Sequence, residues 1–125
     1  EVLENTKFYT LDSNSVVYFT EDKTFTNDYT LHFKDYRVYY LVRYDNYKKS
    51  YAVSCRLRRN HGYGDINLDK ACTDAWRKGF VDESWVVSTG GHKEATGIDF
   101  AAKTDINEVM HFIDVVDQYV TNQIS

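Results

Sequence analysis

The sequence is poor in several residue types, and most of these shortages exclude a class of protein. Among 125 residues there is no proline, one methionine and only six glycines. No apolar run approaches the ~20 residues that a membrane-crossing helix needs. Lys and Arg number 15 against 19 Asp and Glu, a formal net charge of −4, so the chain lacks the basic surplus of a protein that coats duplex nucleic acid. We attach no function to the absence of proline.

Cysteine and histidine are also too few and too scattered for a metal or redox motif. Cys55 and Cys72 follow no such spacing, and both lie among apolar neighbours. That setting favours buried free thiols in a reducing cytoplasm over a disulfide. No two of the four histidines have the spacing of metal ligands.

The first half of the chain is rich in β-branched and aromatic residues, which predicts strands. A turn-forming cluster at 12–14 separates the first two, so they form a hairpin or two consecutive elements. A polar turn at 45–49 separates the last two, and we expect a helix over Thr24–Lys34. The predicted strands are Lys7–Leu11, Ser15–Thr20, Tyr36–Tyr44 and Ser50–Arg58.

Residues 50–58 alternate in a way that bears on function. Side chains two apart along a strand share a face. One predicted face carries Tyr51, Val53, Cys55 and Leu57, and the other carries Ala52, Ser54, Arg56 and Arg58. A hydroxyl and two guanidinium groups therefore point the same way, although such arginine clusters are commonly a solvated strand end.

The second half alternates helices and strands. After a loop at His61–Asp65, Asn67 caps a helix, and Thr104 or Asp105 caps the last one. Strands are predicted at Ser84–Ser88 and Gly97–Ala101. The helices have apolar stripes formed by Leu68, Ala71, Cys72, Ala75, Trp76 and Phe80, and by Ile106, Val109, Met110, Ile113, Val116 and Val120. We expect one compact α/β or α+β domain, a mixed β-sheet with helices packed on one or both faces.

Three of the six glycines fall in Thr89–Gly97 (TGGHKEATG), which we interpret as a loop after the Ser84–Ser88 strand. It matches neither a nucleotide P-loop nor a dinucleotide fingerprint. Backbone N–H groups of a glycine turn, the imidazole of His92 and the ammonium of Lys93 are all donors suited to an anion. The alternative is a tight turn with an incidental surface histidine.

Three segments follow one another along the chain: YAVSCRL, INLDKA and GGHKEATGIDF. In order and coarse spacing they resemble the C-terminal, DHH-associated domain of DHH-type phosphoesterases. That family includes RecJ-like exonucleases, oligoribonucleases and cyclic-dinucleotide phosphodiesterases. The resemblance covers the chain from about Tyr36 to the C-terminus. Its GGH-x-x-A-x-G segment is moderately specific, and the Ser-x-Arg upstream strengthens it.

The resemblance implies roles for the matching residues. Ser54 and Arg56 match strand residues that contact phosphate. Gly90, Gly91 and His92 match a glycine-rich loop that closes over the substrate, and Thr96 belongs to its small-residue tail. The candidate substrate-binding residues are Ser54, Arg56, Arg58, Gly90, Gly91, His92, Lys93 and Thr96. Departures from the family pattern, such as Thr89 where a further glycine is usual, affect the substrate more than the fold.

The family's metal ligands, including an Asp-His-His triplet, lie in a separate N-terminal domain, and this sequence has no such triplet. The resemblance therefore implies that residues 1–125 are the substrate-binding part of a longer two-domain protein. We expect no catalytic residue, metal ligand or cofactor in this chain, with manganese or magnesium held by the missing DHH domain.

The expected partners are single-stranded nucleic acid, a short oligonucleotide or a dinucleotide, the missing DHH domain, and a second copy in a homodimer, with no membrane. Two other classes stay open. One is a free-standing nucleotide-binding or nucleic-acid-binding module, and the other is a protein-interaction domain in which the glycine segment is only a turn.

Overall fold

A computed structural model describes residues 7–11, 15–19, 36–57 and 66–124, which form a six-stranded sheet and two helices. The strands are β1 Lys7–Leu11, β2 Ser15–Phe19, β3 Val38–Asp45, β4 Ser50–Leu57, β5 Val86–His92 and β6 Ala95–Phe100. The helices are α1 Leu68–Lys78 and α2 Ile106–Ile124, with one 3₁₀ turn at Glu83–Trp85. The spatial order is β1-β2-β3-β4-β6-β5. Only β2 and β3 pair in parallel, so the predicted mixed sheet with packed helices is confirmed.

Both helices pack on the same face of the sheet. Val53 and Cys55 of β4 are buried there against apolar residues of α1 and α2. Ser54 and Arg56 alternate with them and lie on the opposite face, as predicted from the period of two. We call that opposite face, which carries Ser54 and Arg56, the distal face. The predicted helix at 24–34 and the loop at 61–65 lie outside the described residues.

Helix starts follow the predicted caps. The Asn67 side chain accepts a hydrogen bond from the backbone N–H of Lys70 at 3.0 Å. Asp105 and Glu108 cap α2 reciprocally, each carboxylate accepting the other's backbone N–H at 2.9 Å. Such caps satisfy N–H groups that the helix leaves without partners.

Phe80 was wrongly assigned to the buried stripe of α1. The helix ends at Lys78, and Phe80 is fully exposed, with a left-handed φ of 57°. A Cβ on Gly79 would collide with the backbone of Ala75 and the side chain of Val115. Gly79 therefore allows close packing of α1 on α2, and the chain turns away at the next residue.

The two cysteines are free and buried, as predicted, with their sulfur atoms 4.0 Å apart. The hydrogen bond with Cys72 and burial raise the pKa of Cys55 well above its usual value. Cys55 therefore stays a neutral thiol, the unreactive form of the side chain.

Asp117 is a buried carboxylate that the sequence analysis missed. It lies in the apolar stripe of α2, is 5% exposed, and accepts hydrogen bonds from the hydroxyls of Ser15 and Tyr40, each at 2.8 Å. The guanidinium of Arg37 lies 3.5 Å from the same oxygen. Burial and then the charge of Asp117 raise the pKa of Tyr40 well above its usual value, so its hydroxyl remains a donor. One carboxylate thus joins α2 to β2 and β3.

Replacing Asp117 by Asn should lower the free energy of unfolding by about 3 kcal/mol, because it removes the carboxylate charge that lies beside the buried guanidinium of Arg37. Asp114→Asn is the matched control, since it makes the same change three residues away on the same helix; burial and the charge of Asp117 raise the pKa of Asp114, so loss of its charge should not destabilise the protein. Urea unfolding of both variants measures the difference. Equal stabilities would contradict a structural role for Asp117.

Candidate functional site

The glycine-rich segment is part of a strand, not the predicted loop. Gly90 and Gly91 lie in β5, the last strand at one edge of the sheet, and His92 ends it. Only Lys93 and Glu94 form the turn to β6, because His92 already pairs with Ala95. Glycine is depleted in strands on average, but pairing with β6 overrides that preference here.

Two backbone hydrogen bonds fix the β5–β6 turn. The carbonyl of Glu94 accepts from the N–H of Leu57 at 3.0 Å, and that of Lys93 accepts from the N–H of Leu68 at 2.8 Å. The turn is thereby attached to the end of β4 and to the first residue of α1. His92 and Ala95 are held in a defined position relative to β4.

The adjacent glycines of β5 are needed for different reasons. A Cβ on Gly91 would lie 2.5 Å from the carbonyl oxygen of Ala95 and 2.5 Å from the Cα of Thr96, so only glycine fits. A Cβ on Gly90 would meet nothing within 4 Å. Gly91 therefore serves the fold, whereas Gly90 leaves accessible backbone at the surface.

Gly91→Ala should destabilise the protein by about 1–3 kcal/mol, because the methyl group must displace the backbone of β6. Gly90→Ala is the matched control one residue away and should change the free energy of unfolding by less than about 0.5 kcal/mol, as at an ordinary surface position. Chemical denaturation of the two variants tests this. Similar losses for both would mean that the strand, not the contact with β6, requires glycine.

The register of β4, β6 and β5 brings four of the predicted residues together on the distal face. Arg56 pairs with Ala95, which pairs with His92, and Ser54 pairs with Gly97, which pairs with Gly90. Directly paired residues point to the same face. Ser54, Arg56, Gly90 and His92 therefore share one surface, although 33 residues (57–89) separate the two segments.

Small residues separate the polar side chains of this surface. The backbones of Arg56 and His92 are two strand spacings apart, ~10 Å, with only the methyl group of Ala95 between them. Gly97 and Gly90 add no side chain in the next row. The row thus carries a guanidinium and an imidazole, both side chains that can donate to anions, on either side of a methyl group.

The other predicted residues lie elsewhere. Lys93 is exposed in the turn beside His92. Thr96 is buried on the helix face, where its hydroxyl lies 3.4 Å from a carboxylate oxygen of Asp69 in α1. Arg58 lies outside the described residues. Thr96 therefore packs the sheet against α1 and does not line the surface that Arg56 and His92 share.

Asp99 and Ser88 also lie on the distal face, and the sequence analysis missed both. They pair across β6 and β5 beside Ala52 of β4, and the Ser88 hydroxyl donates to Asp99 at 3.2 Å. The period of two along the strand could have indicated Asp99, because it is two residues from Gly97 and four from Ala95 and so shares their face.

Within the described residues, no three His, Cys, Asp or Glu side chains are grouped so that they could hold a metal ion. In the same part of the chain, neither helix has the length and apolar character needed to cross a membrane.

The fold is found in solved structures, although no protein-family model and no curated protein sequence matches the chain. One similar structure is the pGpG-specific phosphodiesterase PggH of Vibrio cholerae, with a TM-score of 0.61 at 13% identity over 99% of this chain. Another is the DHH domain of a member of the s1p family of ribosomal proteins, with a TM-score of 0.58 at 13% identity over 95% of this chain. The chain therefore shares its fold with parts of these two proteins. It spans 37% and 28% of those two chains.

Proposed function

We propose that this chain is the nucleotide-binding part of a DHH-type phosphoesterase, and that it holds a phosphate of a short oligonucleotide or dinucleotide on the distal face. The row formed by Arg56, Ala95 and His92 carries this proposal, because it sets two anion donors on either side of a methyl group. The fold agrees with the proposal, since a solved structure of similar fold is a pGpG-specific phosphodiesterase.

Attraction of the ligand must be local. The chain has a net charge of −4, so its overall field repels phosphate. Arg56 presents a planar fork that matches two phosphate oxygens, and His92 adds a single N–H. The Ser54 hydroxyl and the backbone of Gly90 lie in the next row. Such a surface grips one or two phosphates and does not follow a long strand.

Arg56→Lys should weaken binding of a 5′-phosphorylated dinucleotide by about 1–3 kcal/mol, because lysine keeps the charge but loses the fork. Arg77→Lys is the matched control, because Arg77 belongs to the last turn of α1 and so lies on the other side of the sheet from the distal face. Its guanidinium lies over the ring of Trp76. NMR titration of both variants measures the affinities and shows which amides respond. Equal affinity of Arg56→Lys and wild type would remove Arg56 from the site.

The same titration at several salt concentrations measures how many phosphates the surface binds. For single strands the logarithm of the binding constant falls by about 0.7 per neutralised phosphate for each tenfold increase in salt. We expect a slope of about 1, the value for one or two phosphates. A much steeper slope would instead indicate a protein that follows the backbone of a longer strand.

We further propose that hydrolysis takes place outside residues 1–125, in a domain that supplies manganese or magnesium. Phosphodiester hydrolysis of this kind needs Asp and His ligands around one or two metal ions, and the sequence has no Asp-His-His triplet. Incubation of the isolated chain with Mn²⁺ and a short labelled oligonucleotide should leave the substrate intact. Turnover that persists after repurification would contradict the two-domain interpretation.

A further inference from the structure

Asp99 places a negative charge on the same surface that is proposed to hold a phosphate. Along β6 it is four residues from Ala95, which lies between Arg56 and His92. At ~3.3 Å per residue this is ~13 Å. Gly97 lies midway along β6 on the same face, flanked by Gly90 of β5, so no large side chain of β5 or β6 stands between the carboxylate and the anion donors.

The Asp99 carboxylate is exposed, and a hydrogen bond orients it. The Ser88 hydroxyl donates to one of its oxygens at 3.2 Å. A carboxylate has about four acceptor positions on its two oxygens, so this bond leaves most of them available. The charge would repel a second phosphate at this end, so the group that Asp99 receives must present hydrogen-bond donors.

We propose that Asp99 selects guanine in the nucleotide held by Arg56 and His92, an inference that rests on the proposed function. A carboxylate only accepts hydrogen bonds. Guanine presents two adjacent donors, N1–H and the N2 amino group, on its Watson–Crick edge. Adenine and cytosine present a donor beside an acceptor, and uracil presents one donor between two carbonyls. Guanine alone matches both carboxylate oxygens at once.

The distance along β6 favours the base over the sugar as the group that Asp99 contacts. The ribose hydroxyls are also donors that a carboxylate can accept, but they lie about midway between the 5′ phosphate and the far edge of the base. Ala95 and Asp99 are ~13 Å apart along β6. This distance suits the reach from the phosphate to the far edge of the base better than the shorter reach to the ribose. The sugar then lies above Gly97 and Gly90, whose backbone no side chain of the described residues covers.

The experiment compares pGpG, pApA, pIpI and 2′-deoxy pGpG on wild type, Asp99→Asn and Arg56→Lys, with circular dichroism as the folding check. Wild type should bind pGpG about tenfold more tightly than pApA, the discrimination that one bidentate contact to a base provides. It should bind pIpI, which lacks the N2 amino group, more weakly than pGpG. Asp99→Asn should bind pApA as wild type does but lose its preference for pGpG. The 2′-deoxy dinucleotide should bind as pGpG does.

Three other results would contradict the inference, and each has a different meaning. Equal binding of pGpG and pApA by wild type refutes base selection, while loss of affinity in Arg56→Lys still supports the phosphate site. Equal weakening of pGpG and pApA by Asp99→Asn, with poor binding of the 2′-deoxy dinucleotide, assigns Asp99 to the ribose. If wild type binds none of the dinucleotides, the proposed function fails and the inference fails with it.

Discussion

The candidate site depends on two backbone hydrogen bonds at the β5–β6 turn. They attach the carbonyls of Lys93 and Glu94 to the start of α1 and the end of β4. These contacts keep β4, β6 and β5 in a single register. A slip of one residue would turn either Arg56 or His92 toward the helices, because successive side chains of a strand point to opposite faces. A chain with few polar groups on this surface therefore relies on backbone geometry to bring them together.

The two faces of the sheet have different roles on β4, β6 and β5, whereas on β2 and β3 the distal face is also apolar, with a small buried cluster of Val16, Tyr18, Tyr39 and Leu41. The helix face holds the larger apolar core and the buried carboxylate of Asp117, which joins α2 to β2 and β3. The part of the distal face on β4, β6 and β5 holds small residues with Arg56, His92 and Asp99 around them. Because the side chains on this part of the distal face contribute little to packing, their identity can match the chemistry of a ligand.

Local patterns predicted most of the described elements, because hydrophobic period and turn chemistry are properties of neighbouring residues. The alternation of β4 gave the correct face for Ser54 and Arg56. Gly90 and Gly91 were assigned to a loop, since nothing local shows that β6 lies beside them. Thr96 was grouped with the site by position along the chain, although its register places it against α1. Asp117 was hidden because its partners are distant in sequence and become visible only in three dimensions.

The edge position of β5 has a consequence for motion. Among the strands that the structure describes, β5 pairs with β6 alone. Two of its seven residues are glycine, and most of its side chains are exposed. Segments with so few packed side chains open at a small fraction of the global unfolding free energy. Amide hydrogens of β5 should therefore exchange with solvent sooner than those of β4, which is paired on both sides. A nucleotide that bridges Arg56 and His92 would bind only the closed sheet, so its binding free energy would act against this local opening and make the edge strand the most ligand-sensitive part of the fold.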